Sequence, residues 1–253
     1  MGYAATIAAD NPLNWWRCVE QFLPWIPNHG SLAQALSASA PVVFGATGPS
    51  SDSLAAYNPA GVCDWNSGSP TLTLGRPGSV ELWFYQGIQI NQIRWLFAWD
   101  GASAGNAGVY IDTTGKVQMR DPSGVDTASA AAISYAVWHH MVYTNDGATA
   151  KTYLDNVVVC SHGGQTVGSA TQAVYVAGRA EITSQANLCI FSEVASYGAA
   201  LSAAQVSAHY NAADLKATQP LNNLQGSALA AGGGPPGAGA SLDAILRSVR
   251  KVY

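Results

Sequence analysis

The sequence predicts an all-β protein folded as a two-sheet antiparallel sandwich, and three observations carry that prediction. Apolar runs of strand length recur along most of the chain, each bounded by Gly, Pro, Asn or Asp. Where two runs stand close together, the residues between them are hairpin formers: Thr113-Thr114-Gly115, Asn145-Asp146-Gly147 and Asp155-Asn156. The runs follow one another without intervening helical patterns, which favours antiparallel pairing over βαβ crossovers. At 253 residues the chain is long enough to bury a full core without covalent staples.

Taken in order, Val80 to Tyr85 reads as one strand, and Ile93 to Trp99 as the next, turning at Asp100-Gly101. Gly108 to Ile111 and Lys116 to Met119 form a hairpin. Trp138 to Thr144 turns at Asn145-Asp146-Gly147, and Lys151 to Leu154 turns at Asp155-Asn156 into Val157-Val158-Val159. Both residues of an Asp-Asn pair tolerate positive φ, as a two-residue hairpin loop requires. Ser202 and Gln205 form a Ser-x-x-Gln capping box for a helix carrying Val206, His209 and Tyr210. The sandwich is expected to occupy residues 1–213. Residues 214–240, with Gly232-Gly233-Gly234-Pro235-Pro236-Gly237, read as a linker, and 241–253 as a terminal helix.

Composition narrows the function classes. Charged residues make up 10% of the chain, against about 25% in ordinary soluble domains, which suits a crowded assembly or an extracellular setting. A net charge of −4 with no basic stripe argues against a nucleic-acid partner. No apolar run approaches the roughly 18 residues of a membrane span. The opening MGYAATIAADNPLNWW lacks a basic segment followed by an apolar one, so synthesis in a cytoplasm without the usual export is expected. Cys18, Cys63, Cys160 and Cys189 are widely spaced, and buried free thiols are the favoured reading over disulfides.

The run Trp138-His139-His140-Met141-Val142-Tyr143-Thr144-Asn145-Asp146-Gly147 resembles the W-H-H-V-A-x-T-Y-D-G motif of the concanavalin A-like, laminin-G-like jelly-roll superfamily. Thr152-Tyr153-Leu154-Asp155-Asn156 is similar to that family's L-Y-V-D-G hairpin, with Asn156 in place of glycine. Val176-Ala177-Gly178-Arg179 resembles its I-G-x strand. Phe191 to Tyr197 followed by Leu201 to Val206 resembles its last strand and closing helix, I-D-E-V-x-I-Y and A-L-S-x-x-Q-I. Upstream, Trp15 to Glu20 is similar to Y-W-R-L-G-E, with Cys18 replacing leucine, and Ser79 to Phe84 to T-V-E-A-W-V. The resemblance implies a jelly roll over about 200 residues. It says less of function, because this superfamily includes lectins, adhesion modules and structural caps.

Glycoside hydrolysis needs two converging carboxylates, and no two of the 15 Asp and Glu stand two or four apart on a strand; Glu81 and Glu193 each sit alone among apolar neighbours. No catalytic residue is assigned. Gly101-Ala102-Ser103-Ala104-Gly105 matches G-x-S-x-G but leads into another strand rather than a helix, so it reads as a loop. His139 and His140 are adjacent on a strand and point to opposite faces, one packed and one exposed; His29, His162 and His209 make no ligand spacing, and no metal ligands are assigned. Some relatives within the resembled family bind calcium on a rim loop. Asp100, Asn106, Asp112, Asp146 and Asp155 could supply oxygens, although each also fits ordinary turn chemistry. Trp83, Tyr85, Trp95 and Trp99 alternate on two strands and are the candidate glycan-stacking rings, with core packing as the competing reading.

In the terminal helix Leu242, Ile245, Leu246 and Val249 form one apolar stripe, with Arg247 and Arg250 near the C-terminal end. A helix of this length is marginal alone, so docking into a partner's groove is expected, with fold-back on its own sandwich as the alternative. These features together suggest a non-enzymatic structural or decoration protein of a virus particle, most plausibly a bacteriophage. It would be an oligomer within the assembly, contacting other virion proteins through the tail and possessing a lectin-like domain for surface polysaccharide. The alternative is a bacterial carbohydrate-binding or adhesion module.

Overall fold

The computed structural model describes residues 2–19, 25–32, 35–38, 43–57, 65–66, 78–87, 91–99, 107–121, 124–163, 174–177 and 190–217. Helix α1 (Tyr3–Ala9) opens the chain, followed by short strands β1 (Asn14–Trp16), β2 (Trp25–Ile26), β3 (Leu36–Ala38), β4 (Val43–Thr47), β5 (Leu54–Tyr57) and β6 (Trp65–Asn66). The longer strands are β7 (Gly78–Tyr85), β8 (Arg94–Trp99), β9 (Ala107–Ile111), β10 (Lys116–Arg120), β11 (Asp126–Ala132), β12 (Trp138–Asn145), β13 (Thr149–Leu154) and β14 (Val157–Gly163). β15 (Val174–Val176), β16 (Ile190–Tyr197) and helix α2 (Ala203–Ala212) complete the described chain. The first sheet runs β14-β13-β12-β7-β16-β5-β4 with β1 added on β16; the second runs β11-β10-β9-β8-β15-β6-β3-β2, and all pairings are antiparallel. The two-sheet antiparallel sandwich is therefore present, with its closing helix.

The hairpins form where the turn chemistry predicts them. β9 pairs with β10 across Thr113-Thr114-Gly115, and β13 with β14 across Asp155 and Asn156, whose φ values of 49° and 68° are those of a two-residue left-handed loop. The capping box of α2 is complete, with Ser202 and Gln205 bonding each other's backbone N–H. Between the sheets, Val80, Leu82, Phe84 and Met141 of the first pack against Leu96, Phe97, Val109, Ile111, Val117 and Met119 of the second. Each such large apolar side chain contributes roughly 1.5–3 kcal/mol by leaving water.

The outer face of the first sheet is also buried, so every residue of β7, β12 and β16 is inside. Trp83, Tyr85, Trp138, Val142, Tyr153 and Tyr197 line that face, beneath Tyr3 and Ile7 of α1 and Val206 of α2. This third layer corrects the expectation of one packed and one exposed histidine: His139 and His140 do point to opposite faces, but both faces are covered and both rings are buried. Helix α1 was not expected. Its signal is slight, Tyr3 and Ile7 at an i, i+4 spacing in an alanine-rich run, and no side chain caps its start.

Residues 214–217, assigned to the linker, are bound to the sandwich instead. Ser51 donates its backbone N–H and its hydroxyl to Asp214 at 2.8 and 2.9 Å, Leu215 N–H donates to Pro49 O at 2.8 Å, and Trp138 N–H donates to Lys216 O at 3.2 Å. Cys18 and Cys160 are buried free thiols. Cys63, Cys189, Asp100, Asn106 and the Gly101–Gly105 loop lie outside the described residues, as do the rest of the linker and the terminal helix with Leu242, Ile245, Leu246, Arg247, Val249 and Arg250.

Candidate functional site

Two polar clusters stand out, and they differ in access to solvent. The first lies beneath the helices. Period-two alternation puts Glu81 of β7 on the outer face of the first sheet, between α2 and its neighbouring strands. Glu81 Oε2 is 3.0 Å from His140 Nε2 and 3.0 Å from His209 Nδ1, while Oε1 accepts the Tyr197 hydroxyl. His209 Nε2 continues to Asp10 Oδ2 at 2.8 Å, at the C-terminal end of α1. Burial pushes the Glu81 carboxyl up, but the two histidines outweigh it and hold the group at about 2. Burial likewise opposes charge on His209, and the carboxylates of Glu81 and Asp10 outweigh it, raising its pKa. Glu81, His140 and His209 are all 0% exposed, so this cluster offers a substrate no surface. It holds two helices to a sheet.

Glu193 forms a companion cluster. It sits at φ 52° where the pairing of β16 with β7 shifts register between Ser192 and Ala195. The bulge directs its carboxylate to accept from Trp15 Nε1 at 2.7 Å, with Arg17 Nε at 3.3 Å. Burial outweighs both partners and pushes the carboxyl up to about 8. Neither Glu81 nor Glu193 stands alone, contrary to the reading from their apolar sequence neighbours.

The second cluster is open. A cleft of about 280 Å³ lies where the β12–β13 hairpin meets the start of α2, lined by Thr144, Asp146, Thr149, Lys151, Tyr153 and residues 200–203. Its volume falls just below the roughly 300–1,000 Å³ of small-molecule sites. Register builds its floor: Lys151 pairs with Thr144 and Tyr153 with Val142, and Thr149, Lys151 and Tyr153 alternate onto the outer face. Thr144 is 5% and Tyr153 6% exposed, yet among the described residues neither hydroxyl has a hydrogen-bond partner. Neither oxygen is itself shut away from solvent, so the two unpaired hydroxyls lining this polar cleft are open to a ligand's own donors and acceptors. Asp146 Oδ1 accepts from the N–H groups of Ala148 and Thr149, which keeps the carboxyl below its usual range and leaves Oδ2 without a protein donor.

Residues 62–207 match the model of the concanavalin A-like lectin/glucanases superfamily, more than half of the chain. The chain belongs to that superfamily. No curated protein matches it in sequence. Among solved structures it is similar to domain 4 of AbnA, a GH43 extracellular arabinanase of Geobacillus stearothermophilus, in complex with arabinotriose, with 13% identity, TM-score 0.62, and coverage of 81% of this chain and 98% of that one. It is also similar to the sialidase of Trypanosoma rangeli, with 12% identity, TM-score 0.61, 82% of this chain and 34% of that. A third is the receptor-binding domain of botulinum neurotoxin C/D mosaic serotype, with 9% identity, TM-score 0.60, 80% of this chain and 51% of that. The chain thus spans about a third of the sialidase's length. These likenesses establish a lectin/glucanase-like fold.

The predicted site residues of this superfamily member fare unevenly. Trp83, Tyr85 and Trp95, the candidate glycan-stacking rings, are buried, as the competing core-packing reading has it. Trp83 is fully buried, stacked on His140 at 4.6 Å and Tyr210 at 5.9 Å, and its Nε1 donates to the Tyr3 hydroxyl at 2.9 Å. Tyr85 meets Trp138 edge-on at 5.8 Å. Trp95 lies against Tyr110 at 4.8 Å on the outer face of the second sheet, with the Arg120 guanidinium 5.8 Å above it and tied to Asp126. Trp99 ends β8 opposite Ala107 and Val174, and its side chain is outside the described part.

Among the described candidate calcium ligands, Asp112 and Asp155 are engaged in turn and neighbouring hydrogen bonds. Asp112 Oδ1 accepts from Thr114 N–H, Thr114 Oγ1 and Lys116 N–H, and Oδ2 from Gln118 Nε2 at 2.7 Å. Asp155 accepts from His140 N–H at 2.9 Å and meets His139 Nδ1 at 2.6 Å. Among the described residues no three His, Cys, Asp or Glu converge as a metal-holding group. The cleft itself was missed. Its signal was present as the Thr149-x-Lys151-x-Tyr153 alternation, polar on the face that a two-layer sandwich would give to solvent.

Proposed function

We propose that this chain is a non-catalytic carbohydrate-binding domain whose saccharide sits in the cleft between the β12–β13 hairpin and α2. The observation that carries this reading is the pair of hydroxyls, on the largely buried residues Thr144 and Tyr153, that line the cleft open to solvent and without a protein partner. Sugars bring a dense set of donors and acceptors that such accessible hydroxyls can match. Lys151 donates, the free oxygen of Asp146 accepts, and Tyr153 adds an aromatic edge. The superfamily's glucanases and lectins make saccharides the natural ligand class. A glycan array followed by calorimetry tests it. Binding that falls at least tenfold in Thr144→Val and in Tyr153→Phe, with unchanged melting temperature, supports the reading; binding indifferent to both contradicts it.

A narrower reading places this domain on a virus particle as a decoration protein made in the host cytoplasm. Two sequence features favour it, the 10% charge content and the apolar stripe Leu242, Ile245, Leu246 and Val249 beside Arg247 and Arg250. The stripe would dock in a groove of other virion proteins, and the lectin-like domain would face host polysaccharide, with no cofactor required. Mass spectrometry of purified particles decides this, since a decoration protein is present in many copies. An exported bacterial adhesion module is the competing setting for the same sugar site.

A further inference from the structure

We infer that the saccharide bound in the cleft carries a carboxylate, as a uronic acid does; this rests on the sugar-binding reading above. The cleft sets a hydroxyl-rich part beside one that holds Lys151, the start of α2 and the Asp146 carboxylate. Leu201, Ser202 and Ala203, at the start of α2, form one wall, and Lys151 stands on the floor directly across from Thr144.

The capping box uses Ser202 and Gln205 to satisfy each other, and Val206 N–H donates to Ser202 O at 3.0 Å. That leaves the N–H groups of Ala203 and Ala204 without acceptors, at the positive end of a ten-residue helix with no acidic residue in its first turn. Among the described residues no carboxylate accepts from those two N–H groups. Asp146 is the nearby negative group, and its Oδ1 is already occupied by two backbone N–H groups.

Helix start and lysine alone would suit any small anion. The independent observation is the pair of residues Thr144 and Tyr153, each more than nine-tenths buried, whose unpartnered hydroxyls line the same cleft. An inorganic anion leaves those hydroxyls to water, and a neutral sugar leaves the helix end unmatched and Lys151 with only Asp146 as its counter-charge. A sugar acid meets both halves at once: its carboxylate between Lys151 and α2, its ring hydroxyls on Thr144, Tyr153 and the free oxygen of Asp146.

The test is calorimetric titration of the full chain with an oligogalacturonate and with the neutral galacto-oligosaccharide of equal length, with inorganic phosphate as a third arm. A charge-assisted hydrogen bond worth about 1.5–3 kcal/mol predicts that the acidic oligosaccharide binds roughly tenfold or more tightly than the neutral one. Lys151→Met should close that gap, weakening the acidic oligosaccharide roughly tenfold more than the neutral one, and 0.5 M salt should narrow it. Equal affinity for the two oligosaccharides, a gap insensitive to Lys151→Met, or phosphate binding as tightly as the oligogalacturonate overturns the inference while the sugar reading stands. Absence of binding to both sugars, with or without phosphate binding, overturns the sugar reading along with it.

Discussion

The His209 imidazole stands between two carboxylates, Nδ1 3.0 Å from Glu81 and Nε2 2.8 Å from Asp10. With an acceptor at each nitrogen the ring is held doubly protonated, and it ties α1, α2 and β7 together. His140 and Tyr197 complete the shell around Glu81 from the neighbouring strands.

A pH profile of stability follows. Glu81 has a folded pKa of about 2 against an ordinary 4.5, so its contribution is complete above about 4.5 and is lost as pH falls towards 2. His209 and His139 are raised above 6.5, so theirs is complete below 6.5 and is lost as pH rises through their folded values. Glu193, pushed up to about 8, adds to the same loss between 4.5 and 8 because the fold favours its protonated form. Denaturant unfolding across a pH series should therefore show stability rising from pH 2 to about 4.5 and declining from about 5 to 9. His209→Gln should flatten part of that decline.

Removing one member of the buried network costs far more than a surface change. Glu81→Gln leaves His209 with a single carboxylate partner in a fully buried site, and a loss of about 3–5 kcal/mol is expected. The denaturation midpoint in urea measures it.

Trp83 separates packing from recognition. Trp83→Ala opens a cavity beneath α1 and α2 and should cost about 3–5 kcal/mol. Trp83→Phe keeps most of the packing while losing the bond to Tyr3, so it should melt lower and still bind the sugar at unchanged affinity.

Thr152 offers the opposite sign. It is fully buried, and its Oγ1 has no hydrogen-bond partner. Thr152→Val keeps the shape and removes an unsatisfied hydroxyl, so the domain should gain up to about 1 kcal/mol, read as a higher melting temperature.

Much of the sandwich was legible because its signals are local. Asp155-Asn156 sets a left-handed turn whatever surrounds it, and the Ser202 and Gln205 pair caps a helix within one turn. What was not legible depends on a third layer. The alternation along β7 correctly put Glu81, Trp83 and Tyr85 on one face, but nothing local says that helices from both ends of the chain cover that face. Rings that looked available to a sugar are therefore core, and a glutamate that looked isolated has three partners. The cleft escaped for a related reason: Thr144, Lys151 and Tyr153 come together with α2 only through register and long-range packing.

The central claim is that a saccharide is held by the hairpin and the start of α2. Its most direct test is a two-dimensional amide NMR titration with the tightest-binding oligosaccharide. The account predicts shift changes concentrated in residues 144–153 and 200–204. Changes centred instead on the second sheet, around Trp95, Tyr110 and Arg120, would contradict it.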